Sequence, residues 1–515
     1  MALSGSARTL EVGKLLLLLC AVSIVTRVAF LGAGFTNVDE GAHWVGAREF
    51  IQGGRLYVDF ADNKPPLVYA YYAIADALFG RGLFGVRLFA ASVTFPAIAL
   101  CAAAFFDFDR RGRAAAIAFL VASAALLPSD AHAINGEHIL LVPLAIAAAL
   151  TRTEAATTRP GRMLLVGILI GVAALAKQPA ALCGAAFAWS VICANGSRAR
   201  RRLLSLSMLG LGFALPLMAW VALFARQGTL EAFVYWAFRY NLLHMSNPMT
   251  FGDRLFQLLK MGSVLIPSVG TLAVAWAWTE RTKGMHDDPH RRRLILGLVI
   301  TTLLPAFLGW RLFGHYFVPL LFALSLGAGP FFADFRPLSR KVAAGVLVVA
   351  CLAFTIAGRI VHDPLRNLTD VNDPRYEQIA KAMPSNCGVS RPLFVWGYAP
   401  QLYVQSGHRP ASRFVVPIDT ITGHIVGNDT FVRGALDTSD RIVAEHWDQL
   451  MSDLERSRPE WVVDTAPADL NHWGRYPLLN FHRLHAFVRS GYREQGNVGG
   501  AILYRRTDCP RATTR

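Results

Sequence analysis

Charge is scarce in this chain. Asp, Glu, Lys and Arg make up 17% of its 515 residues, and acidic side chains are the rarer kind, 35 against 51 basic. A soluble globular domain carries roughly a quarter charged residues, so a wholly soluble protein is excluded. No glycine-rich nucleotide fingerprint follows a strand, and there is no internal repeat or low-complexity tract, which sets aside the dinucleotide-binding, solenoid and disordered classes. Cysteine is also sparse, seven in all. Cys20, Cys101, Cys183, Cys193 and Cys351 fall inside apolar segments, where a thiol serves as a packing group. Cys387 and Cys509 fall near the C-terminus and could pair if that part lies outside the cytoplasm.

Apolar residues fill the space that charge leaves, at 54% of the chain. Runs near membrane-spanning length recur at 14–33, 83–106, 114–128, 138–150, 163–177, 180–195, 203–224, 255–279, 294–310, 315–333 and 342–358, about eleven spans. The fourth to sixth are short. The last 150 or so residues are mixed and polar, with short strand-like runs. The expected architecture is mainly α. It has a polytopic helical membrane domain over 1–358 and a small C-terminal α/β domain over 359–515. The N-terminus imitates a signal peptide, but no fitting small-residue cleavage site follows, so it reads as a retained first span.

The net charge of +16 is spread over many short loops, which speaks against nucleic acid and for topology. Arg110, Arg111 and Arg113 share one loop, and Arg152, Arg159 and Arg162 another. Arg198 and Arg200 to Arg202 follow, then Arg281, Lys283 and Arg291 to Arg293, then Arg336, Arg340 and Lys341. With eleven spans all of these, and the N-terminus, fall on one side, the cytoplasm by the positive-inside rule. The other side receives 36–66, 129–138, the Lys177-Gln178-Pro179 turn, 225–254, the Arg311–His315 turn and the C-terminal domain. In that domain Leu393–Trp396, Arg413–Val416, Trp461–Val463 and a last pair, Phe487-Val488 with Ala501–Tyr504, read as strands, and Arg441–Leu454 as a helix.

The outer-side loops hold the unusual polar residues. Asn37-Val38-Asp39-Glu40 reads as a helix start, with Asn37 as N-cap, Glu40 at N3 and Asp39 favouring the dipole. The helix should run to about Gln52 and could lie in the membrane interface, holding a carboxylate where it can deprotonate a hydroxyl. Lys64-Pro65-Pro66 is a rigid turn. Its lysine is either an ordinary loop residue or a fixed point charge for a phosphate, with Arg55 and Arg81 nearby in sequence. His132, Asn135, Glu137 and His138 could bind a metal or form a pocket wall. Lys177 is a site candidate or snorkels to the headgroups. Arg239, Tyr240, His244 and the Arg311–Phe317 turn suit either a phosphate–sugar ligand or interfacial anchoring.

Asp39-Glu40-Gly41-Ala42-His43, then Gly53-Gly54-Arg55-Leu56-Tyr57-Val58-Asp59-Phe60 and Lys64-Pro65-Pro66-Leu67, resemble membrane glycosyltransferases of the GT-C superfamily. The likeness is to bacterial relatives of protein O-mannosyltransferases and of the lipid A aminoarabinose transferase. Asn135-Gly136-Glu137, Lys177-Gln178-Pro179 and Gly314-His315-Tyr316-Phe317 fit later outer-face positions. The run Val395 to Tyr403 resembles the soluble domain of some members.

The resemblance implies a polyprenyl-phosphate sugar donor and inverting transfer to a glycan, lipid or protein hydroxyl on the outer face of the inner (plasma) membrane. Asp39 would be the general base, Glu40 its support and Lys64 the phosphate ligand. Asp59, His43, Tyr57, Glu137, Asn135, Lys177, His315 and Arg311 would bind substrate. No cofactor is fixed, and a divalent metal is left open, with no metal ligand assigned. Two other classes compete. A lipid or anion transporter should carry ionisable groups at the bilayer midplane and show repeats or broken helices. A silent sensor or scaffold would act through the C-terminal domain.

Overall fold

The computed structural model describes residues 5–32, 34–35, 37–80, 82–195, 198–244, 249–282, 288–334, 373–384, 392–416, 419–423 and 439–509. The expected span 342–358, with Arg336, Arg340 and Lys341 before it, lies outside these residues, as do Arg81, Lys283, Cys351 and Cys387. The chain divides into two compact units. One comprises Met1–Ala33, Lys64–Leu230 and His244–Ile360; the other comprises Gly34–Asn63, Glu231–Leu243 and Val361–Arg515. Two segments numbered within 1–358, 34–63 and 231–243, therefore group with the C-terminal chain.

The first unit is helical. Among the described residues five helices are long and apolar enough to cross a membrane: Leu83–Phe105, Ala199–Arg226, Phe251–Thr282, Pro289–Trp310 and Gly314–Ala333. Four more, Pro66–Phe79, Gly136–Leu150, Pro160–Ala174 and Gln178–Ile192, are apolar but shorter. A 15-residue helix rises only about 22 Å, less than the roughly 30 Å hydrocarbon core. Pro66–Phe79, which apolar run length did not place among the spans, is an inner helix, with Val68, Tyr69, Tyr72 and Ala75 fully buried. The helix starts follow local chemistry. Asp109 caps Arg110–Ala124 by accepting from the amides of Arg111 and Gly112, and Asp288 caps Pro289–Leu303 by accepting from Arg291.

Small residues let helix backbones close up where lipid supplies no hydrophobic drive between them. Pro160–Ala174 and Ala199–Arg226 meet this way. A Cβ on Gly167 would sit 2.2 Å from the Leu209 carbonyl oxygen, and one on Gly212 would sit 2.1 Å from that of Leu164. Gly212→Leu is therefore expected to abolish folded, monodisperse protein in detergent extracts, whereas Gly210→Leu, with open space around it, should leave the yield unchanged. Equal yields of the two variants would refute this packing.

The basic loops converge at one end of this unit. Asp107 takes hydrogen bonds from Arg152 at 2.7 Å and Arg291 at 2.9 Å. Glu154 pairs with Arg293 at 3.1 Å and accepts from the Asn195 amide at 2.6 Å. His290 Nε2 lies 2.7 Å from the Thr151 carbonyl. Loops read from the sequence as sharing a side thus meet in space.

The second unit contains a five-stranded mixed sheet. Its strands are β1 (Pro392–Trp396), β2 (Arg409–Pro410), β3 (Trp461–Asp464), β4 (Tyr492–Val498) and β5 (Ala501–Arg506), in the order β2-β1-β3-β5-β4. The first three are mutually parallel, and β5 pairs antiparallel with both β3 and β4. The small α/β expectation holds in outline, and two strand assignments need correction. Arg413–Val416 is an irregular bend, because Arg413 is clamped by Asp453 at 2.8 and 3.0 Å and its carbonyl accepts from the Ala61 amide. Phe487-Val488 belongs to the helix His482–Gly491, whose Leu484 and Val488 face the core four residues apart. The hairpin partner of β5 is the polar β4, joined to it through Gly499 and Gly500, both at positive φ as a tight hairpin turn requires. Cys509 is disulfide-bonded.

Candidate functional site

The acid pair sits at the start of the helix Val38–Ile51 in the second unit, as its capping residues dictate. Asn37 is extended, and its side chain accepts from the Asp39 amide at 2.9 Å. Asp39 is half-buried, whereas Glu40 and His43 are fully buried. The helix is not the interfacial amphipath expected: Val38, Trp44, Val45, Ala47 and Glu49 are buried as well, so it is embedded in protein. Its far end is tied by Glu49, whose carboxylate accepts two hydrogen bonds from Arg409 at 3.2 and 2.6 Å. Gly41 faces the Pro400-Gln401 backbone, where a Cβ would lie 3.3 Å from the Gln401 amide nitrogen.

The turn behind this helix is held by its own residues. Asp59 accepts from the Arg55 amide at 2.8 Å and from its guanidinium twice at 3.2 Å. Burial pushes the Asp59 carboxyl up, but these bonds prevail and hold it below its ordinary range. Tyr57 is fully buried at φ 70°, with its ring 5.4 Å from Phe233. Further along, Asn63 donates to Asn241 at 3.1 Å, and the Tyr240 hydroxyl donates to Asp419 at 2.8 Å. Tyr240 is therefore a structural tether, and Arg239 beside it is exposed.

In the first unit a second constellation forms at the end of Gly136–Leu150 away from the basic loops. Lys177 Nζ lies 2.9 Å from Glu137 Oε1 and 4.8 Å from the Tyr316 ring centroid. Gly136 permits this approach, since a Cβ there would meet the Ala176 carbonyl at 2.5 Å. The other oxygen of Glu137 and the side-chain nitrogen (Nδ2) of Asn135 are buried without a hydrogen-bond partner among the described residues. Buried polar atoms are ordinarily paired, so these two atoms are available for a further hydrogen bond. His315 is oriented by Asp130, whose Oδ1 accepts from its backbone amide and lies against Nδ1, both at 2.9 Å. Gly314 makes room for that carboxylate, because a Cβ there would lie 2.4 Å from Asp130 Oδ2.

Arg311 is half-buried in a tight turn where Gly309, Trp310 and Leu312 all have positive φ. Such strained backbone persists only when its surroundings enforce it. Lys64 is half-buried ahead of Pro65, the N-cap of Pro66–Phe79. The Leu67 amide donates to the Leu175 carbonyl at 3.0 Å, which sets the Lys64–Pro66 turn close to the Leu175–Lys177 turn.

Glu137, Lys177, Asn135 and His315 are thus brought together, but His132 and His138 leave the group. His132 stacks on Phe30 at 4.2 Å, and His138 accepts from the Asn135 amide through Nδ1 at 3.1 Å. Among the described residues no three His, Cys, Asp or Glu side chains converge as metal ligands. Sequence reading missed Asp130 as a partner of His315. It also missed the buried Arg27 and Arg87, which line a small cavity with Phe30, Phe95 and His132. Arg27 stacks 3.7 Å above Phe95 and donates to Ser123 at 2.7 Å. A cation inside an apolar run was the available signal for both arginines.

Residues 63–223 match the dolichyl-phosphate-mannose-protein mannosyltransferase family. The match begins just after the acid-pair loop. No curated protein sequence matches the chain. Among solved structures, ArnT from Cupriavidus metallidurans bound to undecaprenyl phosphate aligns over 97% of this chain and 98% of its own, with 16% identity and a TM-score of 0.54. The apo form of the same protein aligns over 95% and 97%, with 15% identity and a TM-score of 0.58. The fold is therefore shared nearly end to end. The resemblance to the GT-C superfamily drawn from the sequence is borne out by family match and by fold together.

Proposed function

We propose that this chain is a GT-C-type membrane glycosyltransferase that moves a sugar from a polyprenyl-phosphate donor to an acceptor hydroxyl by inverting displacement, on the outer face of the inner (plasma) membrane. Asp39 removes the acceptor proton, with Glu40 as its support. Lys64 binds the donor phosphate and stabilises the departing anion, as a fixed cation does for developing negative charge. Asn135, Glu137, Lys177, His315 and Arg311 bind substrate; so do His43, Tyr57 and Asp59, the last through the turn that Arg55 staples. In this reading 1–358 acts as the membrane catalytic domain and 359–515 as the C-terminal extracytoplasmic domain, although 34–63 and 231–243 group structurally with the latter.

One observation carries this reading against transport. The polar cluster of the helical unit lies at one end, separated from the Asp107–Arg152–Arg291 network by the length of Gly136–Leu150. A transporter would place such groups near midplane. The excess of Arg at the other end supports an inward orientation for that end.

The test is the purified full chain given undecaprenyl-phosphate-linked mannose and related lipid-phosphate sugars, alongside mass analysis of cell-surface glycans with and without the protein. Loss of one surface glycan and transfer in vitro are expected. Movement of the lipid between leaflets without transfer would replace this reading with the flippase.

A further inference from the structure

We infer that Gln401, the first residue of the short helix Gln401–Ser406 that follows β1, reads a hydroxyl of the substrate beside the acid pair. This inference rests on the glycosyltransferase reading above. Gln401 is fully buried, and both its side-chain oxygen and its nitrogen lack a hydrogen-bond partner among the described residues. Leaving both ends of an amide unpaired costs stability, so a residue of this kind persists where something else selects it.

Its position says what that is. The backbone nitrogen of Gln401 lies 3.3 Å, and the Pro400 carbonyl carbon 3.4 Å, from where a Cβ on Gly41 would sit, so the residue is seated beside the helix that carries the acid pair. Gly41 directly follows Asp39 and Glu40. A side chain at Gly41 would press on the Pro400-Gln401 backbone, so glycine there favours the close approach of the Pro400 turn to the first turn of that helix.

The turn itself is fixed. Asn471 donates to the Tyr398 carbonyl at 2.6 Å, and the Tyr403 hydroxyl accepts from the Val395 amide at 3.1 Å. A pinned turn holds the amide in place, which a binding group requires. The chemistry also fits an uncharged ligand. A primary amide offers two donors and an acceptor without charge, matching a sugar or acceptor hydroxyl, which both gives and takes a hydrogen bond. A phosphate would call for a cation instead.

The test uses the full chain in detergent with Gln401→Leu, which keeps bulk and removes both polar atoms, and Gln401→Asn, which keeps the amide but shortens it. The measurements are melting temperature, affinity for undecaprenyl phosphate without sugar, and transfer from the glycosylated donor the wild type accepts. For Gln401→Leu a melting temperature equal to or above wild type is expected, with unchanged affinity for undecaprenyl phosphate. Its kcat/KM should fall about tenfold to a hundredfold, and Gln401→Asn should fall between the two. Transfer at the wild-type rate by Gln401→Leu overturns the inference. So does a lowered melting temperature accompanying the loss, because the amide would then be structural. A wild-type chain that transfers from no polyprenyl-phosphate sugar sinks the parent reading, a result distinct from either.

Discussion

Asp39→Asn is expected to lower transfer by about 10²- to 10⁴-fold, the range a positioned general base supplies, while leaving donor binding intact. The substitution is nearly isosteric. It leaves the helix start in place, because the cap is made by the Asn37 side chain to the backbone amide of residue 39, not to its side chain. The helix stays anchored at its other end by Glu49 and Arg409. What is lost is the ability to accept a proton. A single-turnover assay, paired with a binding measurement for undecaprenyl phosphate, separates chemistry from affinity. Unchanged transfer would remove Asp39 from the mechanism.

Lys64→Met is expected to lower transfer by about 10²- to 10³-fold, as loss of one preorganised charge-stabilising group does, and to weaken undecaprenyl phosphate binding as well. Methionine keeps the apolar stem and removes the charge. Pro65 and Pro66 fix the turn without help from the lysine, and the Leu67 amide bond to the Leu175 carbonyl holds the helix that follows. Lys177 is engaged with Glu137 and is poorly placed to substitute. A Lys64→Met chain with wild-type affinity and rate would sink the phosphate role. An effect on rate alone would reassign the charge to the leaving step.

Much of this arrangement was legible because it is local. Asn37 before Val38, Pro65-Pro66 before an aromatic helix, and the apolar lengths of the major helices are each decided within one or two turns of chain. Loop charge correctly grouped Arg152 with Arg291, because positive-inside bias acts on each loop separately. The failures were non-local. No periodicity announces that Arg413 will be clamped by Asp453 and so leave the strand pattern. The polar sequence of β4 reads as loop until β5 is known to lie beside it. Phe487-Val488 misled because two adjacent apolar residues fit a strand, and Leu484, four positions before Val488, was not counted. The helix at Val38 read as interfacial because Val38, Ala42, Trp44, Val45 and Ile51 form apolar faces set against Arg48 and Glu49, and no local pattern shows that Glu49 is buried.

The bond between Glu49 and Arg409 joins residues 360 apart in the chain. Ribosomes add about 5–20 residues per second, so roughly half a minute separates the two during synthesis. In that interval the helix bearing Asp39 has been made, but the residues that clamp it and abut its first turn have not. A nascent or truncated chain therefore carries the acid pair without its anchor.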